Sequence, residues 1–121
     1  MQKRRRTVAI VDDDPSVLKA AASLLDAHGF ATRSFSSAEE FLGARNHIDC
    51  LLLDIHLTGL SGIELRQQLK SSRPALPVIF MTAIDDDVVR QQALLTGCIT
   101  FLRKPFPGQQ LIDAIETACP V

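Results

Sequence analysis

The chain of 121 residues contains no tryptophan and no tyrosine, and its aromatics are six phenylalanines. A core must therefore be aliphatic, built from Leu, Ile, Val and Ala. Net charge is also scarce. The formal value of −1 gives the domain as a whole no electrostatic reason to bind nucleic acid directly. Long apolar runs are missing. No stretch approaches a membrane span, and Val8 to Val11, after the basic N-terminus, is far too short for a signal-peptide core. A cytoplasmic protein without membrane association is expected. Cysteines are few: Cys50, Cys98 and Cys119 form no CxxC pair and have no histidine at metal-ligand spacing. An odd count without a signal peptide fits a reducing compartment, inert thiols and no redox chemistry.

What is present is an ordinary globular balance, 46% apolar and 22% charged. The length suits one domain, residues 1–121, and is too short for two. The run Lys3-Arg4-Arg5-Arg6 reads as a solvated basic tail over residues 1–6.

Beyond the tail, short apolar runs alternate with helical stretches. Thr7 to Val11 is apolar and rich in β-branched residues, as a strand buried on both faces should be. It stops at Asp12-Asp13-Asp14-Pro15, where Asp14 suits an N-cap and Pro15 a first helical position. The following helix places Val17, Leu18, Ala21, Leu24, Leu25 and His28 on one side and ends at Gly29. Ala31 to Phe35 is a more polar strand, at or near an edge. Ser36 and Ser37, each followed three residues later by a glutamate, start a short helix through Leu42. Further strands are Asp49 to Leu53, Pro77 to Thr82 and Ile99 to Leu102. Further helices run from Gly62 to Ser71, from a cap at Asp85-Asp86-Asp87 to near Gly97, and through Leu111, Ile112, Ile115 and Ala118. The helix after Asp87 is the least amphipathic, so loose docking is expected of it. Alternation of strand and helix predicts an α/β fold: a doubly wound, five-stranded parallel sheet of order 2-1-3-4-5, flavodoxin-like, with five helices.

Sites in such sheets form beyond the carboxyl ends of the strands. This sequence puts Asp12 and Asp13 after strand one, Asp54 after strand three, Thr82 at the end of strand four and Lys104 after strand five. Three carboxylates cannot sit together unneutralised. Oxygen-only ligation suits Mg²⁺, which commonly joins one or two carboxylates to a phosphate. A carboxylate is also a nucleophile toward phosphoryl groups, and Lys104 and Thr82 would supply a cation and a donor to the transferred oxygens. Acidic residues after strands are often only helix caps. That bland reading is preferred for Asp14 and Asp85 to Asp87, and rejected for Asp12, Asp13 and Asp54 as a set.

Val11-Asp12-Asp13-Asp14-Pro15, Leu52-Leu53-Asp54, Leu60-Ser61-Gly62, Met81-Thr82-Ala83 and Lys104-Pro105-Phe106, in this order and spacing, resemble the receiver domains of bacterial response regulators. Ser37 to Leu42 and Phe101 to Phe106 bring the chain nearest the FixJ/NarL type. The resemblance covers essentially the whole chain. It implies that Asp54 takes a phosphoryl group from a sensor histidine kinase. It implies that Asp12, Asp13, Asp54 and the backbone carbonyl of His56 hold Mg²⁺. Thr82 and Phe101 would be the switch pair, Lys104 would pair with the phosphoryl group, and Pro105 would follow a cis peptide bond. The face of helix four, strand five and helix five would then form a homodimer or release an output domain. In relatives that output is commonly a C-terminal DNA-binding domain.

Two departures stand out. The family's usual Met-Pro after the acceptor is Leu57-Thr58 here, which should loosen the loop. Ile84, two residues after Thr82, replaces a commonly polar side chain and cannot orient an attacking water, although the His56 imidazole could. The chain is read as a signalling domain rather than an enzyme. Other readings are a degenerate receiver acting only as a docking module, a dehalogenase-like Mg²⁺ phosphatase and a flavodoxin-like cofactor binder. The phosphatase would need an acid where His56 stands. The cofactor binder would need a phosphate loop where Asp12-Asp13-Asp14 stands. His28 and His47 receive no role, and Phe106 and Cys98 are read as packing residues.

Overall fold

Each apolar run forms a strand, and each amphipathic run a helix packed across it. The computed structural model describes residues 5–44, 47–84, 86–98 and 100–120. In chain order they form β1 (Thr7–Val11), α1 (Pro15–Ala27), β2 (Ala31–Phe35), α2 (Ala38–Leu42), β3 (Cys50–Asp54), α3 (Gly62–Ser72), β4 (Val78–Thr82), α4 (Asp87–Leu95), β5 (Thr100–Arg103) and α5 (Gly108–Ala118). The strands pair in parallel in the order β2-β1-β3-β4-β5, as the alternating pattern predicts.

The two-residue period of the strands divides the core in two. Ala9, Val11, Leu51, Leu53, Val78 and Phe80 face α2, α3 and α4, where they meet Phe41, Leu65, Leu69 and Ala93. Val8, Ile10, Cys50, Leu52, Ile79, Met81 and Leu102 face α1 and α5, where they meet Ala21, Leu25, Leu111, Ile112 and Ile115. Buried on both sides, β1, β3 and β4 are fixed. At the edge, β2 exposes Arg33 and Ser34. Of the apolar residues on α4 only Ala93 is buried, while Val88, Leu94 and Leu95 face solvent, so its docking is indeed loose.

Several local expectations change. His28 lies on the exposed side of α1, its ring against the Leu24 carbonyl, because only Ala21 and Leu25 are fully buried there. Ser37 caps α2, but the Glu40 carboxylate bonds Ser36 instead of closing a capping box. The reciprocal box belongs to α3, between Ser61 and Glu64. Asp86 caps α4 by accepting from Val88 and Val89. Asp85, Ile99, Lys3 and Arg4 lie outside the described residues. Arg5 and Arg6 do not trail in solvent. Arg5 donates to the carbonyls of Gly29 and Phe30. Arg6 makes two 3.0 Å bonds to Glu116, one of 2.7 Å to the Cys119 carbonyl, and lies over the Phe30 ring. A guanidinium's planar fork holds such partners together.

Gly62 has a steric duty. A β-carbon there would lie 2.3 Å from the Asp54 carbonyl oxygen and 2.9 Å from the Ile55 α-carbon. The start of α3 thus rests directly on the backbone of the chain's central acidic strand end, a contact made as Gly62 N–H donates to the Ile55 carbonyl. Gly62→Ala must push α3 off this support. It should cost about 2–3 kcal/mol as an overpacking change, seen as a lowered urea midpoint. An unchanged midpoint would show the contact to be soft.

Candidate functional site

Parallel pairing in this register brings five strand-end residues to one edge of the sheet. Asp12 and Asp13 follow β1 directly, Asp54 and Thr82 are the last residues of β3 and β4, and Lys104 follows β5. One carboxylate oxygen from each of Asp12, Asp13 and Asp54 lies within 4.8 Å of the others. Asp12 and Thr82 are fully buried, Asp54 is 5% exposed and Asp13 is open to solvent. The Lys104 ammonium donates to Asp12 Oδ2 at 2.6 Å and stands 3.6 Å from Asp54 Oδ2. Its own amide donates to the Thr82 carbonyl at 2.7 Å, and the peptide bond between Lys104 and Pro105 is cis. The cation is thereby aimed inward.

Electrostatics set the character of the cluster. Burial, then the charge of Asp12, raises the Asp54 carboxyl above its ordinary 3.8; Lys104 and the His56 amide oppose this, and Asp13 adds to it. The other Asp54 oxygen, Oδ1, accepts from the His56 amide at 3.2 Å, while Asp12 Oδ1 accepts from the Asp14 amide at 2.9 Å. One ammonium thus faces three carboxylates. Hard, closely set oxygen donors with a surplus of negative charge are a donor set for a small divalent cation such as Mg²⁺.

The surrounding loops carry features that spacing alone did not reveal. The Leu57-Thr58 loop is not loose. Leu57 is buried against the core, Thr58 Oγ1 donates to Asp13 at 3.4 Å, and Glu39 from α2 accepts from the Leu60 amide at 3.0 Å. This last bond holds the Glu39 carboxyl below its ordinary range. It also fixes Gly59, whose φ of +83° suits glycine. The Thr82 hydroxyl accepts from the Ile84 amide at 3.1 Å and donates to its carbonyl at 3.3 Å, in a local turn. The Ile84 side chain is 52% exposed, and His56 is exposed as well. Phe101 is half-buried against the α2–α3–α4 side of the core, with the Arg90 guanidinium 5.6 Å over its ring. Beside Lys104, Val17, Ala20, Leu24, Pro105, Phe106 and Leu111 line an apolar groove of about 440 Å³.

This arrangement can offer a carboxylate to a phosphoryl group with the Lys104 ammonium beside it. Comparison with known proteins agrees. The profile of the response regulator receiver domain family matches residues 8–116, and the chain belongs to that family. It is 35% identical over 120 residues to the response regulator protein TodT of Pseudomonas putida, covering 98% of this chain and 53% of TodT. It is 33% identical over 113 residues to the transcriptional regulatory protein FixJ of Bradyrhizobium diazoefficiens, covering 92% of this chain and 55% of FixJ. The chain thus spans about half the length of the curated relatives it matches. Its fold superposes on a crystal structure of FixJ-N with a TM-score of 0.85 at 35% identity, covering 96% of this chain and 94% of that one. It is a phosphoryl-accepting signalling domain of the two-component type, akin to FixJ. No helix among the described residues is long and apolar enough to cross a membrane.

The raised Asp54 carboxyl has a consequence for stability. A carboxyl whose folded pKa exceeds its unfolded value binds more protons when folded, so stability falls as pH rises through the window between the two values. Asp54→Asn removes this loss. Without divalent cations the variant should match wild type below pH 3.8 and exceed it in melting temperature at neutral pH. A variant less stable at neutral pH would contradict the charge-crowding account.

Proposed function

We propose that Asp54 is the phosphoacceptor of this receiver and that its phosphorylation by a sensor histidine kinase resets the face formed by α4, β5 and α5. The observation that carries the assignment is the nearly buried Asp54 carboxylate, set between Lys104 and two further aspartates at the carboxyl edge of the sheet. Asp54 attacks the phosphorus of the kinase's phosphohistidine. The P–N bond breaks, and the imidazole leaves as the neutral base once protonated. Mg²⁺, held by Asp12, Asp13, Asp54 and the His56 carbonyl, would offset the negative charge gathered there. Lys104 and Thr82 then take two of the transferred oxygens. The apolar groove beside Lys104 favours a protein phosphodonor, which needs a surface on which to rest while its histidine reaches Asp54.

The new charge acts through two competitions. A phosphoryl group carries about −2 charges and strong acceptor oxygens, and these draw Lys104 away from Asp12 and the Thr82 hydroxyl away from Ile84. Movement of Thr82 opens space for Phe101, which turns inward and lets α4 shift. Exposed Val88, Leu94 and Leu95 on α4 make that face suited to a homodimer, or to contact with a DNA-binding output domain in a longer protein. A cytoplasmic setting follows from the kinase and DNA partners. The docking-module reading has no observation in its favour.

Incubation with acetyl phosphate should add about 80 Da, one phosphoryl group, only with Mg²⁺ present and not to Asp54→Asn. Intact-mass spectrometry reads this directly. An adduct that survives in Asp54→Asn would move the acceptor elsewhere. The acyl phosphate should also be long-lived and hydrolyse slowly, because exposed Ile84 offers no group to orient water. Following decay of the adduct after removal of phosphodonor tests this, and a half-life of seconds would refute it.

A further inference from the structure

At the other end of the sheet from Asp54, two thiols that are remote in sequence meet. Cys50 opens β3 and lies opposite Val8 of β1. Its neighbour Asp49 is tied to the start of β1, accepting from the Thr7 amide at 2.8 Å and donating to the Thr7 carbonyl at 2.8 Å. Cys119 ends α5, its amide donating to Ile115 at 2.8 Å and its carbonyl accepting from Arg6 at 2.7 Å. Three consecutive residues, Arg6, Thr7 and Val8, therefore anchor both cysteines. Their side chains enter the same apolar cluster, where each thiol is near enough to shift the other's titration.

We propose that Cys50 and Cys119 form an oxidisable dithiol, which a hydroperoxide closes into an intramolecular disulfide that staples the end of α5 to the start of β3.

The pair is asymmetric in a way that suits this chemistry. Cys50 is fully buried, whereas Cys119 is half-buried and open to a small oxidant. Contact with Cys50, aided by the Arg6 charge, lowers the Cys119 thiol against the opposing effect of burial. The same contact, with burial, raises Cys50. Cys119 thiolate attacks the peroxide, breaking the O–O bond, and becomes a sulfenic acid as hydroxide departs. The Cys50 sulfur then attacks the Cys119 sulfur, the S–O bond breaks, and the hydroxyl leaves as water with the Cys50 proton. In sum two thiols lose two electrons and two protons, and peroxide is reduced to two waters. In a reducing compartment such a bond is transient and responsive rather than structural. The reading of the cysteines as inert, drawn from their spacing, is thus revised for this pair. Cys98 packs in the opposite half of the core, and burial raises its thiol; it serves as an internal control.

The intact domain treated with hydrogen peroxide should become lighter by about 2 Da, two hydrogens. It should lose two alkylatable thiols, keep that of Cys98, and yield a reductant-sensitive Cys50–Cys119 cross-linked peptide. Cys50→Ser should instead gain about 16 Da as a trappable sulfenic acid on Cys119, and Cys119→Ser should do neither. Circular dichroism of both variants checks that they are folded. Oxidation confined to Cys98, dimers linked between chains, or three intact thiols after treatment would each overturn the proposal. Acetyl phosphate labelling of the oxidised protein reads Asp54 separately, so the two ends of the sheet are tested independently.

Discussion

The contact on which the site depends is the 2.6 Å bond between the Lys104 ammonium and the buried Asp12 carboxylate. Four of the five strands are recruited to make it. Lys104 reaches Asp12 only if β5 pairs with β4, β4 with β3 and β3 with β1, the order observed. As a source of stability the pair is poor, since desolvating two charges offsets most of their attraction. Its role is to let a surplus of carboxylates exist at a strand edge until something more anionic competes for the lysine. Removing Lys104 would leave three acids facing one another, whereas removing Asp54 relieves the crowding. The site is held together by a core that does not need it: the residues of β1, β3 and β4 beneath it are almost wholly buried.

The sequence makes the strand ends legible and leaves the side-chain choices open. Apolar runs of four to six residues identified β1, β3, β4 and β5 because a strand covered on both faces has few polar positions to blur it, whereas β2 was read as a more polar edge strand. The end of β3 moved by one residue, placing Asp54 within the strand instead of after it. Spacing also told which end of the sheet would collect Asp12, Asp13, Asp54, Thr82 and Lys104. It could not tell that Lys104 sits nearer Asp12 than Asp54, or that Thr82 is turned onto Ile84. Those outcomes depend on rotamers and on the fields of neighbouring groups. The loop was misjudged for the same reason. A missing proline suggested slackness, but Glu39 and Thr58 replace rigidity of the chain with long-range hydrogen bonds. The Ser61–Glu64 capping box has the same three-residue spacing as Ser37–Glu40, which closes no box, so spacing alone did not single it out.

Contacts between distant segments were the least visible. Gly62 belonged to a motif, yet the reason for glycine is the carbonyl of Asp54, a residue from another element. The basic run looked like a solvated tail because charge and terminal position say nothing about Glu116, far along the chain. Cys50 and Cys119 had no local pattern at all. Each becomes neighbourly only once the first strand lies between β3 and the end of α5.

Why a charge placed on Asp54 should emerge at α4 rather than α1 follows from where the packing is thin. On one side of the sheet α1 and α5 present Ala21, Leu25, Leu111, Ile112 and Ile115 to a continuous core. Arg6 further ties the end of α5 to the start of β1. Displacing either helix opens a large apolar surface, at roughly 25 cal/mol per Å². On the other side α4 contributes Ala93 as its one buried apolar residue, and half-buried Phe101 lies beside it under Arg90. Moving α4 therefore costs little apolar burial. A few kcal/mol gained when Lys104 and Thr82 engage new phosphoryl oxygens is enough to bias such an element between two positions. The same gain would be too small to move α1. The direction of the signal is thus built into the uneven distribution of the core, and Asp54 needs only to tip the side that was left light.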